Sequence, residues 1–297
     1  MLVECNGAKV WDATVPAALF STFLEVPMPV QAEWVRYGQH SAFLARPEGV
    51  SSPLPAVLVI QEIWGVDGHI EDVTRRIAAS GYAALAPDLY AVNGERPRPL
   101  VRERVAGVMA FMNTLAPAVF GDPEARAKAM AVLPQPERGR MEESYGALFG
   151  HIGKLEQFVP ALRAAAAHLR RDCAASAGQK VGCVGFCMGG GLTALLACEE
   201  PELAAGAIFY GSAPPLERVT RIPCPMAGFY GSLDARVNAG LPAFAEAMRS
   251  AGKAFEYQVY DGAAHAFFND TRPSYHVGAA RDSFARLLEF FRRNLAP

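Results

Sequence analysis

Val181-Gly182-Cys183-Val184-Gly185-Phe186-Cys187-Met188-Gly189-Gly190-Gly191 is the stretch that decides how the chain folds. Val181 to Gly185 reads as a strand and Gly189 to Cys198 as a helix, and between them lies G-x-C-x-G. In the serine version of this string, small residues on either side of the central one let the backbone pass closely through a strained strand-to-helix turn. The central side chain then projects above the sheet. Cys187 there stands at a helix amino terminus, whose partial positive charge favours thiolate, the reactive form. A free cysteine is ordinarily a small buried hydrophobe. We accept that for Cys5, Cys173, Cys183, Cys198 and Cys224; the flanking glycines set Cys187 apart.

Strands and helices alternate on both sides of this turn. Upstream, Trp34–Tyr37 and Ala42–Ala45 flank Gly38-Gln39 as a leading hairpin, and Ala56–Ile60 is short, apolar and β-branched, as a strand buried on both faces is. A helix over Ile70–Ala79 ends near Gly81, and Tyr82–Ala86 is the next strand. Downstream come a helix over Ile152–Arg170, strands over Ala207–Tyr210, Met226–Tyr230 and Phe255–Tyr260, and helices over Leu241–Ala251 and Ser283–Asn294. The fold class is therefore α/β, a mainly parallel central sheet with helices on both faces. Residues 1–33, with Pro16, Pro27 and Pro29, read as an extension over the domain surface with room for one short helix. Residues 34–297 read as a single domain. The rhythm breaks at 92–150: Val101, Val105, Val108, Met109 and Met112 recur at helical spacing, and Asp122-Pro123-Glu124 opens another helix. This helical insertion follows a strand's carboxyl end, where α/β sheets bind ligands, so it is a candidate cap.

Composition narrows the function classes. The chain has 297 residues, 51% hydrophobic and 20% charged, which excludes a disordered or collagen-like protein. Lys plus Arg is 28 against 30 for Asp plus Glu, a net charge of −2 that gives no field to gather nucleic acid or an anionic membrane. No signal peptide or membrane span is visible, and the scattered cysteines suit reduced thiols, so the expected location is the cytoplasm.

A nucleophile needs a base and a group to orient it. In the α/β-hydrolase arrangement these follow in the order nucleophile, acid, histidine, each after a later strand. Gly231-Ser232-Leu233-Asp234 follows one such strand and Asp261-Gly262-Ala263-Ala264-His265 the next. His265 is the histidine in that loop; Asp234 is the preferred acid because it follows the correct strand, with Asp261 as competitor. No histidine pair has a metal-ligand spacing, and neither dinucleotide nor P-loop strings occur, so no metal or cofactor is expected.

These pieces, with Gln61-Glu62-Ile63-Trp64-Gly65, Ala86-Pro87-Asp88-Leu89-Tyr90, Tyr210-Gly211 and Ala266-Phe267, resemble the dienelactone hydrolase family of α/β-hydrolases from about Trp34 onward. The resemblance implies an α/β-hydrolase fold, a triad of Cys187, His265 and Asp234, and an oxyanion hole from the backbone N–H groups of Ile63 and Met188. It also implies that Glu62 holds the resting thiol and helps activate it when substrate arrives. Trp64, Tyr90 and Asn269 are candidate pocket residues. Family members acting on the anionic dienelactone carry carboxylate-binding arginines at the positions of Val92 and Asn269, and neither side chain supplies that charge. Arg96, Arg98, Arg236 and Arg272 are the arginines that could stand in from nearby loops. The expected function is hydrolysis of a small ester or lactone through an acyl-cysteine. The rivals are a redox-sensing thiol protein, with Cys183 as resolving partner, and a non-catalytic binding protein on a hydrolase fold.

Overall fold

The computed structural model describes residues 2–5, 8–11, 30–115, 119 and 122–296. Two short strands, β1 (Leu2–Cys5) and β2 (Ala8–Trp11), pair antiparallel. The short helix expected within residues 1–33 would fall on 12–29, outside the described residues.

The remaining strands form one eight-stranded sheet, in the order β10-β9-β8-β7-β5-β6-β4-β3. They are β3 (Val30–Tyr37), β4 (His40–Pro47), β5 (Ala56–Ile60), β6 (Ala83–Pro87), β7 (Val181–Phe186), β8 (Ala205–Phe209), β9 (Met226–Gly231) and β10 (Phe255–Tyr260). β3 pairs antiparallel with β4 and β4 with β6; the other pairings are parallel. The sheet is thus an α/β-hydrolase sheet with a leading hairpin. β5 shows why it must be central: alternate residues serve opposite cores, Leu58 and Ile60 in one and Val57 and Val59 in the other. Helices α1 (Gly68–Ala79) and α9 (Val277–Leu295) supply Ile70, Val73, Leu287 and Phe291 to the second core. The first core takes Leu162 and Leu169 of α5 (Val159–Arg171), Leu192 and Leu196 of α6 (Met188–Glu199) and Phe244 of α8 (Leu241–Ser250).

Between β6 and α5 lie α2 (Arg102–Asn113), α3 (Pro123–Ala131) and α4 (Glu137–Phe149). Asp122 caps α3, accepting from the N–H groups of Glu124 and Ala125 at 2.9 and 3.0 Å. Val105, Val108 and Met112 of α2 and Leu148 of α4 are buried, which draws these helices onto the first core. No described helix is long and apolar enough to cross a membrane.

Three elements differ from the spacing-based expectation. β3 begins at Val30, four residues before Trp34, so residues 30–33, read as the end of an extension, pair with β4 in the main sheet. The helix expected from Ile152 begins instead as a 3-10 turn over Leu155–Phe158 and becomes α-helical only at Val159. Pro160 explains the break, since it lacks an N–H and its ring crowds the preceding turn. The last helix starts six residues before Ser283 because His276 caps it, Nδ1 accepting from the Ala279 N–H at 3.2 Å.

Candidate active site

Cys187 joins β7 to α6 with φ 54° and ψ −112°, a conformation costing about 1–3 kcal/mol. The surrounding packing enforces it. A Cβ on Gly185 would collide with the Gly189 carbonyl and stand 2.5 Å from Thr193 Oγ1. One on Gly190 would stand 2.8 Å from both the Phe209 carbonyl and the Gly211 Cα. The Cys187 N–H donates to the Phe209 carbonyl at 3.0 Å, which ties the turn to β8. Cys187 is half-buried, whereas Cys173, Cys183, Cys198 and Cys224 are buried free thiols.

Asp234 follows β9 and caps the short α7 (Ala235–Asn238); it is buried, and its Oδ2 accepts from His265 Nδ1 at 2.5 Å. Asp261 takes no part in this pairing: it is exposed and accepts from Ser232 Oγ at 3.3 Å. With Nδ1 engaged by Asp234, the other ring nitrogen is left for a second partner, and Cys187 is near enough for its charge to act on the imidazole. Burial opposes protonation of His265. The charge at Cys187, the hydrogen bond to Asp234 and the Asp234 carboxylate outweigh it, and raise the imidazole from 6.5 to about 10.

The Glu62 carboxylate is buried behind these groups. Its Oε1 accepts from Tyr210 Oη at 3.1 Å and its Oε2 from Asn269 Nδ2 at 2.9 Å; among the described residues it makes no bond to Cys187. Tyr210 is itself unusual, fully buried with φ 39°, its ring edge-on to His265 at 5.2 Å. Burial first, then the Glu62 and Cys187 charges, push its phenol far up, so it remains a donor. Asn269, expected to face substrate, is fully buried and fixed from both ends, its Oδ1 accepting from Thr271 N–H and Oγ1 at 3.0 and 2.6 Å. Sequence reasoning missed the Tyr210 contact; the Tyr210-Gly211 pair after a strand was the one signal for it.

Ile63 and Met188 are both within reach of Tyr90 Oη, and among the described residues neither backbone N–H has an acceptor. Tyr90 Oη donates to the Ile63 carbonyl at 2.7 Å, so Tyr90 fixes that loop. The insertion reaches Trp64, and the residue just after it reaches Tyr90. Phe149 packs edge-on against Trp64 at 6.0 Å, and His151 stacks on Tyr90 at 5.5 Å.

Of the four arginines, Arg96 is engaged by Asp88 at 2.7 Å in a buried pair, and Arg98 and Arg236 are exposed. Arg272 lies 5.0 Å over the Trp64 ring. No cluster of three or more His, Cys, Asp or Glu side chains that could hold a metal occurs among the described residues.

A thiol, a buried acid and an imidazole on the carboxyl-end loops of β7, β9 and β10, with two backbone N–H groups without acceptors on the loop after β5 and at the start of α6, is an arrangement for acyl transfer. The model of the Dienelactone hydrolase family matches residues 40–295. The chain belongs to the dienelactone hydrolase family. A candidate carboxymethylenebutenolidase of Saccharolobus solfataricus is 37% identical over 254 residues, 85% of this chain and 93% of that protein. One of Methylorubrum extorquens is 32% identical over 99% of this chain and 88% of its own length. Among solved structures, a candidate dienelactone hydrolase of Klebsiella pneumoniae superposes with a TM-score of 0.65 at 28% identity, covering 89% of this chain and 99% of that one. As a dienelactone hydrolase family member, the protein is a hydrolase acting on ester bonds.

Proposed function

We propose that the protein hydrolyses a small-molecule ester or lactone with Cys187 as nucleophile. The observation that carries this is the 2.5 Å Asp234–His265 bond beside a thiol held on a strained turn. The Cys187 thiol gives its proton to Glu62 as the sulfur attacks the carbonyl carbon, and the resulting oxyanion accepts from the N–H groups of Ile63 and Met188. The C–O bond breaks as the protonated His265 passes its proton to the departing alcohol, leaving an acyl-cysteine and a neutral imidazole. Water then attacks with His265 taking its proton, the C–S bond breaks to release the acid, and Glu62 returns its proton to the sulfur. Asp234 keeps the imidazole oriented throughout.

Glu62 is the on-demand base for the resting thiol. Tyr210 and Asn269 each take up one acceptor position of its carboxylate and hold it in place, which leaves acceptor capacity for the thiol proton. The segment 92–150 serves as a cap on the site, a role supported by the Phe149 contact to Trp64. The scheme needs no cofactor, and the free thiols suit the cytoplasm. Redox sensing is the weaker account, because Cys183 is fully buried in β7 and burial pushes its thiol far up, which makes it a poor resolving partner.

Hydrolysis of p-nitrophenyl acetate by the wild type and by Cys187→Ala tests the proposal, with thermal unfolding as a check that the variant folds. The expected loss is at least about 100-fold in kcat/KM; equal rates would remove Cys187 from catalysis.

A further inference from the structure

Trp64, next to Ile63, lines a cavity of 290 Å³ at the start of α1. A cavity of about 150 Å³ holds a benzene ring, so this one accommodates a single ring with a short substituent. Val105, Ala106 and Met109 of α2 give it an apolar lining. Its charged neighbours are already engaged: Arg96 pairs with Asp88 at 2.7 Å and Arg102 with Glu71 at 2.5 Å. Burial raises the Asp67 carboxyl against the Ile70 N–H, and the nearby Glu62 charge raises it further. The remaining ionisable lining group, His69, is buried with neither ring nitrogen hydrogen-bonded among the described residues and with Nδ1 3.5 Å from the Asp270 carboxylate, so no arginine is left free for an anionic group and the lining favours an uncharged one that can share a hydrogen bond. Larger hollows lie elsewhere, such as one of 510 Å³ beside β10 and α9, but Arg293 and Arg286 in it are occupied by Glu256 and Asp282.

Two connections tie the cavity to the candidate active site. Trp64 directly follows the Ile63 N–H assigned to the oxyanion. Thr271, another lining residue, donates to Asn269, which in turn donates to Glu62. We propose that this cavity receives the uncharged apolar arm of the ester, a single ring or short branched chain remote from the reacting carbonyl; this rests on the ester-hydrolase account of the site. Remote binding energy of this kind sets substrate preference.

The test uses the full chain and Ala106→Trp, which fills the cavity from an exposed position on α2; Ala106→Leu is a milder second variant. Calorimetry with benzyl alcohol reads the cavity without catalysis. Binding is expected in the wild type and in Cys187→Ala, at least about tenfold weaker in Ala106→Trp, and weaker in the wild type for benzoate. Kinetics with methyl acetate, benzyl acetate and methyl phenylacetate read its use. Ala106→Trp should raise KM about tenfold or more for a ring-bearing ester while changing methyl acetate less than about twofold, and benzyl alcohol should compete with that ester. Absence of benzyl alcohol binding to the wild type, or equal effects of Ala106→Trp on all three esters, would overturn the proposal. Failure of the ester-hydrolase account would appear separately, as retained turnover in Cys187→Ala.

Discussion

Among the described non-glycine residues, positive φ occurs at Asn93, Cys187, Tyr210 and Ala266. Three of these four belong to or adjoin the candidate site, where strain is retained because it fixes reacting groups. Asp234→Asn should keep the fold and lower kcat by at least about 100-fold, since the amide cannot hold the imidazole in the same tautomer; stopped-flow ester hydrolysis measures it. The His265 value gives a stability prediction with a defined sign. The folded-state pKa, about 10, lies above the ordinary 6.5, so the stabilisation is complete below 6.5 and disappears as pH rises through about 10. Urea midpoints from pH 6 to 10.5 should therefore fall more steeply in the wild type than in His265→Gln; parallel curves would refute the coupling. Cys187, Asp234 and His265 could be found from sequence because each sits in a short loop after an apolar strand. The partners of Glu62 could not, since Tyr210 and Asn269 are 148 and 207 positions away and only the folded sheet brings them together.

The β7–α6 connection depends on backbone contact that leaves no room for a Cβ. Gly185→Ala should cost about 3 kcal/mol or more, because the atom it would strike is a carbonyl with nowhere to move. Equilibrium unfolding in urea measures this, and a loss below about 1 kcal/mol would contradict the packing account. By contrast, Asp122→Ala at the start of α3 should cost about 1 kcal/mol, seen as faster amide exchange within α3 rather than across the sheet. The same contrast explains which elements could be read in advance. β5, β7 and β9 are uniformly buried and stood out as short apolar runs. The start of α9 did not, because a histidine cap carries a weaker signal than the Ser, Thr, Asp or Asn usually found there.

Across the whole molecule, the insertion and the hydrolase sheet meet at the wall of the site. Arg96, near the start of the insertion, bonds Asp88 after β6 at 2.7 Å and the Val66 carbonyl at 3.3 Å, just beyond the loop that carries Ile63. Asp88→Ala should destabilise by about 3–5 kcal/mol because it leaves a buried guanidinium without its partner. Asp88→Ala combined with Arg96→Met should recover much of that loss, as a double-mutant cycle in urea would show. The placement of 92–150 after β6 was readable from the interrupted strand-helix alternation. Its contact with Trp64, and that of the residue just after it with Tyr90, were not, because they depend on how α4 and the loop through His151 return to the sheet.

Rapid acid quench of the wild type turning over p-nitrophenyl acetate, followed by peptide mass spectrometry, tests the central claim most directly. The account predicts an acetyl group on Cys187, formed in step with the release of p-nitrophenol and absent from Cys187→Ala. Steady turnover with the acetyl group on another residue, or undiminished turnover in Cys187→Ala, would contradict it.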